Sequence, residues 1–438
     1  MKINLKAFHC YAIIFIAFIL YPIIKGVHIL PAGDTGSYQE ASNIILNGYR
    51  QITFRVPFYP LLLILTGSTK ALTPSLFVLQ YLVYFLSILF LVKAMLRSEV
   101  KVLHVFIVTL LLVSPPFVQI NYYAMTEAIS FAFVNILFSI FILVKRSYKF
   151  LLMGILASVL TLTRPSFQLT GLLLTGLFLL TEKSKWKAGI FIVSFALPLF
   201  IFSMFNKSRF NFTGLTPATG WHVTTKTALF IDDWPDAKTR PLMVRQRNDN
   251  LVNKSSHTGT LFVWSLPELL QDSLHMNYID ASKYMMRNNT ALIKSHPLEY
   301  LTAVGRSLVD YTFPNLISSN FPGWMRGLYT LLQFAYMYLA LILTAAVWVC
   351  LWLFRRRVET KWLHPFLFAA IVIYSNYFVS IAAEVGSSRH RVPTEALILI
   401  SIVFALPIIR ACRATIISAY SASGSKIILE TKEVLPVA

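Results

Sequence analysis

Charged side chains at the ends of apolar segments are the part of this sequence that could do chemistry. They are Asp34 in GDTGSYQE, Arg55 in RVPFYP, Glu127 in MTEAISF, Arg164 in LTRPSF, and the trio Arg389, His390 and Arg391 in SSRHRVP. A guanidinium group suits phosphate because its planar fork donates paired hydrogen bonds and stays charged. A charge at the edge of an apolar segment is costly unless it is paired or wetted. We therefore predict that these groups share one polar cavity.

Each of these residues also has a purely structural interpretation. Asp34 could cap a helix predicted over 37–46, because Asp is a preferred N-cap residue. Glu127 could sit in a first helical turn for electrostatic reasons. Arg55 could extend along the membrane interface, and the trio at 389–391 could anchor a helix end. Positive anchors prefer the cytoplasmic side of a membrane, which favours the cavity for residues on the other side.

The composition predicts an all-α polytopic membrane protein. Of the 438 residues, 56% are hydrophobic and 13% are charged, whereas a soluble domain carries about 25% charged residues. Apolar runs of about 20 residues, the length that a helix needs to cross hydrocarbon, recur along the chain. The formal charge of +20 is attributed to cytoplasmic loops. Nucleic-acid binding is not expected, since no basic run outside the membrane is interleaved with aromatic residues.

The hydropathy pattern predicts about ten membrane spans. They are placed near 9–29, 74–95, 102–120, 126–144, 149–163, 166–181, 188–206, 325–354, 362–383 and 392–410. Lys and Arg collect in alternate short loops, which puts both termini in the cytoplasm and the charged features outside. The N-terminus resembles a signal peptide without a small-residue cleavage site, so an uncleaved first span is predicted.

These spans divide the chain into four predicted regions. They are an N-terminal transmembrane module at 1–206 with a first outer loop at 30–73, an extracytoplasmic segment at 207–324, C-terminal spans at 325–410 and a weakly structured cytoplasmic tail at 411–438. In the first outer loop, 57–70 is too short to span and is predicted to lie along the outer interface. In the second region, two amphipathic helices are predicted on either side of His296-Pro297.

Signals for a bound cofactor are weak. Asp232, Asp233 and Asp236 could bind a divalent cation, although a solvated acidic turn is the simpler interpretation. The sequence contains no Gly-rich phosphate loop and no H-E-x-x-H motif. No cofactor or resident metal site is therefore assigned, and a divalent cation stays open.

The charged motifs resemble those of the GT-C glycosyltransferases, the membrane enzymes that use polyprenyl-phosphate sugars and include protein O-mannosyltransferases and aminoarabinose transferases. The resemblance begins with an acid after the first span, Tyr38 four residues later, and R-V-P-F-Y-P-L-L at 55–62. LTRPSFQLTGLLL, RHRVPTEALILI and TEAISF are similar to further segments of the family. The likeness covers residues 1–205 and part of the last two spans. Many O-mannosyltransferases carry Asp-Glu in the first loop, whereas Thr35 follows Asp34 here, which favours a bacterial-type member.

The resemblance implies an inverting sugar transfer in the bacterial inner (plasma) membrane. Asp34 would act as general base toward an acceptor hydroxyl, and the acceptor would be a lipid, a glycan or a protein. The donor would be a polyprenyl-phosphate sugar, whose phosphate would be bound by the basic residues Arg164, Arg389, Arg391, Arg55 and His390. Glu127, Tyr38 and Tyr59 would contact the substrates. Membrane lipids would surround the bundle.

Two other functions compete with sugar transfer. A polymerase or ligase of lipid-linked polysaccharide would also be membrane-embedded, but it would depend mainly on Arg and His without a first-loop acid. A transporter or flippase would be expected to show internal repeats and polar groups near the bilayer midplane. This sequence shows neither, and its charges lie at one predicted surface.

Overall fold

The computed structural model describes residues 5–253, 263, 265–313, 322–354, 358–383 and 388–432. Its helices are α1 (Leu5–Lys25), α2 (Thr35–Leu46), α3 (Phe58–Leu65), α4 (Pro74–Arg97), α5 (Val102–Leu112), α6 (Pro115–Val118), α7 (Thr126–Leu143), α8 (Lys149–Thr161), α9 (Gln168–Thr181), α10 (Trp186–Phe210), α11 (Thr219–Thr227), α12 (Arg240–Asn253), α13 (Leu266–Leu274), α14 (Tyr278–Ser295), α15 (Pro297–Thr312), α16 (Gly323–Phe354), α17 (Thr360–Ala383) and α18 (Glu395–Lys432). Short 3-10 turns occur at Gln119–Tyr122, Pro165–Phe167, Ala228–Asp233 and Ser388–Thr394.

Seven of the described helices are long and apolar enough to cross a membrane. They are α1, α4, α7, α10, α16, α17 and α18. The segments Val102–Leu112 and Pro115–Tyr122 would make an eighth span if they cross as one unit, bent by 55°. The bend falls at Pro115 and Pro116, which cannot donate backbone hydrogen bonds to the preceding turn. The chain is therefore a multi-pass, all-α membrane protein, as its composition predicted.

The predicted number of about ten spans is not confirmed. The helices found at two predicted spans, Lys149–Thr161 and Pro165–Thr181, are shorter than the seven long ones. A straight crossing of the hydrocarbon core needs about 20 residues. A break at Arg164-Pro165 separates the two helices, because proline disfavours helical backbone in the residue before it. Arg164 accordingly has an extended backbone, with φ −143° and ψ 110°.

Three predicted boundaries also needed correction. The first span ends at Lys25 rather than at residue 29, because Gly26 leaves the helix with φ +82°. The helix at the predicted interfacial stretch 57–70 is shorter, Phe58–Leu65. The tail at 411–438 was expected to be weakly structured, but α18 continues to Lys432. Ala, Ile, Leu, Lys and Glu in that stretch support helix, while 433–438 lie outside the described residues.

The transmembrane bundle has a buried centre and an exposed rim. The apolar windows of α7 and α18 are 72% and 78% buried, whereas those of α1 and α10 are 17% and 22% buried. α10 packs closely on α8 at Gly154, where an added Cβ would lie 2.6 Å from the carbonyl oxygen of Phe191. The central helices therefore set the geometry of the bundle, and the rim helices present apolar side chains to lipid.

Helices α11–α15 form a separate layer with its own core. Its buried apolar residues include Trp234, Met243, Leu270, Met285 and Leu292. The predicted break is confirmed, because α14 ends at Ser295 and α15 begins at Pro297. Gly220 of α11 lets α14 approach, since a Cβ there would lie 2.2 Å from the carbonyl oxygen of Ser282. This layer covers one end of the bundle, where the candidate site lies.

Candidate functional site

Segments from both halves of the chain bring charged residues together at one end of the bundle. Asp34 precedes α2, Arg55 lies between α2 and α3, and Glu127 is in the first turn of α7. Arg164 lies between α8 and α9, and Arg389 lies in the turn before α18. The shared polar cavity expected from the sequence corresponds to a real grouping of these side chains.

Asp34 occupies the N-cap position of α2 but does not cap it. Its side chain makes no capping hydrogen bond. Instead Oδ1 lies 2.8 Å from Nη2 of Arg55, and Oδ2 accepts a hydrogen bond from Nη2 of Arg389 at 2.6 Å. Burial alone would raise the pKa of Asp34, but Arg55 and Arg389 outweigh it and hold the pKa below its usual range. The carboxylate is therefore ionised at neutral pH.

Arg389 links the two acids of the site. Its Nε donates to Oε1 of Glu127, while its Nη2 contacts Asp34. Nη1 of Arg164 also lies 3.2 Å from Oε1 of Glu127. The side chain of Glu127 is 1% exposed, whereas those of Arg389 and Asp34 are 32% and 26% exposed. Glu127 therefore lies beneath the site as a fixed counter-charge, and Asp34 and Arg389 remain accessible.

Arg55 is held by a ring face and a hydroxyl in addition to Asp34. Its Nε donates to Oγ of Ser37 at 2.9 Å, and its guanidinium carbon lies 4.4 Å from the ring centroid of Tyr38. The same carbon lies 4.6 Å from the ring centroid of Phe54. Stacking on aromatic faces suits a planar cation. The contacts orient Arg55 toward Asp34.

Backbone contacts dock the first loop against the segment that precedes Glu127. Leu30 forms a parallel bridge with Tyr123, through Leu30 N to Tyr122 O at 2.7 Å and Ala124 N to Leu30 O at 2.9 Å. The buried hydroxyl of Thr35 donates to the carbonyl of Ala124 and accepts from the amide of Ala32. Thr35 thus holds the backbone next to Asp34 against the segment that precedes Glu127.

Asn376, a buried amide in the apolar helix α17, joins the two arginine turns. Its Oδ1 accepts from Oγ of Ser166 at 2.9 Å, and its Nδ2 donates to the carbonyl of His390 at 2.9 Å. Nδ2 also lies 3.1 Å from the hydroxyl of Tyr311. Ser166 follows Arg164 by two residues, and His390 follows Arg389. The single amide therefore connects the position of one arginine to that of the other.

The charged residues border a cavity of about 430 Å³, here called the central cavity. Its predicted members are Asp34, Tyr38, Arg55, Arg164, Arg389 and His390. The site has three guanidinium cations and two carboxylates, one of which is Glu127 beneath the cavity. The central cavity therefore has an excess of one positive charge among these groups, and it suits an anion.

Three predicted site residues are not in the lining of the central cavity: Glu127 lies beneath it, and Arg391 and Tyr59 lie away from it. Arg391 is fully buried, with Nε donating to Glu395 at 2.6 Å and Nη1 to the carbonyl of Tyr311 at 2.6 Å. Tyr59 is also fully buried, and its hydroxyl donates to Oε1 of Gln80 at 2.8 Å. Its ring contacts Tyr38 edge-on at 4.9 Å. The structure places Arg391 and Tyr59 as support for residues that line the cavity.

Several residues of the central cavity were not predicted from sequence. They include Thr126, Thr163, Gln168, Thr216 and Thr219. Each is an uncharged polar side chain next to a turn or helix end, and no spacing distinguishes it from other loop residues. Asn376 did carry a signal, since a buried amide within an apolar span is costly and calls for partners.

The acidic turn at Asp232, Asp233 and Asp236 does not form a cluster. Asp232 makes a two-pronged contact with Arg247 at 2.7 and 2.8 Å, Asp233 lies 3.4 Å from His296, and Asp236 accepts from Tyr284. Across the residues that the structure describes, no group of three or more His, Cys, Asp and Glu could hold a metal ion. The contacts fit the structural interpretation of this turn.

Comparisons with known proteins give few matches to this chain. No protein-family model matches it, and no curated protein matches it. Among solved structures, the crystal structure of ArnT from Cupriavidus metallidurans bound to undecaprenyl phosphate is similar, at 12% identity and a TM-score of 0.35. The similarity covers 90% of this chain and 77% of that one. At this level the similarity carries no argument about function.

Proposed function

We propose that the protein is a GT-C-type glycosyltransferase that moves a sugar from a polyprenyl phosphate to an acceptor hydroxyl at the extracytoplasmic surface. One observation carries the proposal: Asp34, Arg55, Arg164 and Arg389 line a single cavity at the end of an apolar bundle. A lipid-borne donor needs such a place, because its isoprenoid chain stays in hydrocarbon while its phosphate and sugar need polar surroundings. The resemblance of the motifs to GT-C enzymes supports the same conclusion.

In the proposed reaction, Asp34 removes the proton of the acceptor hydroxyl. The hydroxyl oxygen forms a bond to the anomeric carbon of the donor sugar, and the bond from that carbon to the phosphate oxygen breaks. The leaving polyprenyl phosphate takes the bonding electron pair. Inversion follows from this single displacement, and positioned proton transfer of this kind contributes about 10²–10⁴-fold.

Arg389 and Arg164 stabilise the charge of the leaving phosphate. Both contact Glu127 in the free protein, so they are already oriented before donor binds. Preorganised cations that meet developing charge are usually the largest catalytic contribution. Arg391 has no such role, since its guanidinium is buried against Glu395 and the carbonyl of Tyr311.

In the free site, the carboxylate of Asp34 is paired with Arg55 and Arg389. Two guanidinium groups lower the pKa of its carboxyl. When donor phosphate draws Arg389 away, the carboxylate loses one of its two cationic partners and its basicity rises.

Cells that lack the gene test the function directly. We expect mass spectra of envelope glycans and glycolipids from the deletion strain to lose the mass of one sugar residue from one class of product. Wild-type protein should restore that mass. Asp34→Asn should not restore it at equal abundance in the membrane, because the amide cannot accept the proton. Full restoration by Asp34→Asn would remove Asp34 as the base.

The polymerase or ligase alternative predicts another result in the same spectra. Loss of a polymerase shortens a repeating glycan by many units, whereas loss of a transferase removes a single sugar. A transporter, by contrast, would move the lipid-linked precursor across the membrane without changing its chemical structure. The close contacts of Asp34 with two arginines favour the transferase, because the competing sites depend mainly on Arg and His.

A further inference from the structure

A second cavity, here called the lateral cavity, adjoins the central cavity. It has a volume of about 570 Å³ and lies between the segment at 212–220 and the first half of α14. Pro165, Gln168, Thr216 and Thr219 border both cavities. Ligand pockets commonly enclose about 300–1,000 Å³. The lateral cavity is therefore large enough for a ligand of its own, next to the central cavity.

The lateral cavity is positively charged. Lys283 and Arg287 line it one helical turn apart on α14, and both are exposed. Its described lining contains no Asp or Glu. Like charges spaced by four residues on a helix repel each other, and neither residue has an acidic partner among the ion pairs of the described residues. An anion bound between them would remove that repulsion.

The rest of the lining suits a sugar. Phe212, which is half-buried, and Met286 supply apolar surface. Thr213 and Thr219 are exposed and offer hydroxyl groups, and Gln168 offers an amide on the side of the central cavity. Binding sites of this kind combine apolar walls with a few polar groups that set orientation. A saccharide with an anionic substituent matches both the charge and the walls.

We propose that the lateral cavity binds the acceptor and that this acceptor is a saccharide carrying a phosphate group. This inference rests on the proposed function. Lys283 and Arg287 would hold the phosphate, and an acceptor hydroxyl would reach Asp34 across the border formed by Gln168, Thr216 and Thr219. The basic pair thus selects the acceptor, while the arginines of the central cavity bind the donor.

Charge reversal tests the assignment. The full chain in phosphatidylcholine nanodiscs is titrated with glucose 1-phosphate, with glucose and with dioctanoyl phosphatidic acid, each with and without saturating undecaprenyl phosphate. The variant Lys283→Glu/Arg287→Glu is compared with a control, Lys238→Glu/Lys294→Glu, whose exposed residues lie outside the cavity. We expect the first variant to weaken phosphosugar binding about tenfold or more, as loss of charged hydrogen bonds does, and the control to bind as wild type.

Each outcome decides one question. Equal phosphosugar affinity in wild type and in the charge-reversed variant overturns the inference, as does equal wild-type affinity for glucose and glucose 1-phosphate. If charge reversal weakens both phosphate probes, the shared chemistry is supported. The probe that binds more tightly then identifies a phosphorylated glycan or a lipid headgroup as the source. Undecaprenyl phosphate binding, measured on the same samples, reports separately on the proposed function. Its absence would refute the donor assignment and leave the charge-reversal comparison valid.

Discussion

At the scale of single residues, the site depends on the ion pairs that Asp34 makes with two arginines. The carboxylate contacts Arg55 on one oxygen and Arg389 on the other, and Glu127 holds Arg389 from below. These ion pairs are partly shielded from solvent, because the side chains of Glu127, Asp34 and Arg389 are between 1% and 32% exposed. The pairing explains why the carboxylate of Asp34 can remain charged at the edge of an apolar bundle.

The lowered pKa of Asp34 predicts a specific pH dependence of stability. A depressed folded-state pKa means that the stabilising contribution is present above the unfolded value, about 3.9, and is lost as pH falls through the folded value. Wild-type protein and Asp34→Asn should therefore differ in thermal unfolding temperature by a constant amount from pH 8 to pH 5, and the difference should shrink only below about pH 4. A difference that shrinks between pH 7 and pH 5 would contradict the paired, fully ionised carboxylate.

The charged residues were largely predictable because charge at a membrane edge is conspicuous in sequence. Asp34, Arg55, Arg164, Arg389 and His390 all line the central cavity. Arg391 was not distinguishable from Arg389, since the two flank one histidine. Only the three-dimensional position of Glu395, one helical turn after Arg391, shows which of the two arginines is paired inside the protein.

At the scale of elements, the site depends on helix ends rather than on helix interiors. Pro165 ends α8 and extends the backbone of Arg164. Phe58 N donates to the carbonyl of Leu162 at 3.1 Å, which holds the start of α3 against that same turn. The sequence predicted these breaks from proline and placed the two short segments, 149–163 and 166–181, within two residues of the helices found, Lys149–Thr161 and Gln168–Thr181. The prediction that each of these segments crosses the membrane by itself is not confirmed.

The contact between α8 and α10 gives a test at this scale. Gly154→Ala places a methyl group 2.6 Å from the carbonyl oxygen of Phe191, so the helices must separate. We expect a lower unfolding temperature and a loss of about 1–3 kcal/mol, the usual cost of overpacking. Gly176→Ala in α9 is the matched control, because its Cβ would meet nothing within 4 Å.

Measurement of both variants in the same detergent separates packing from helix propensity. Alanine is the better helix former at either position, so Gly176→Ala should leave stability unchanged or slightly higher. If Gly154→Ala were as stable as Gly176→Ala, the close approach of α8 and α10 would be wrong. The position of Arg164 at the end of α8 would then need revision as well.

At the scale of the whole molecule, two layers meet at the site. The apolar bundle supplies Asp34, Arg164 and Arg389, and the layer of α11–α15 closes the central cavity with residues such as Thr219 and His222. Hydropathy predicted the bundle, because apolar runs of span length are distinctive. The sequence did not show how the helices of the polar segment at 207–324 pack, since amphipathic periodicity locates helices without locating their partners.

We propose that the central cavity is an anion site in which donor phosphate replaces Asp34 as a partner of Arg389. The most direct test of this proposal is the affinity of purified protein in nanodiscs for undecaprenyl phosphate. Asp34→Asn should bind at least as tightly as wild type, because the competing carboxylate is gone. Arg389→Gln should bind about tenfold more weakly or worse. Arg50→Gln, an exposed residue outside the cavity lining, should match wild type. Loss of binding in Asp34→Asn, or unchanged binding in Arg389→Gln, would contradict the account.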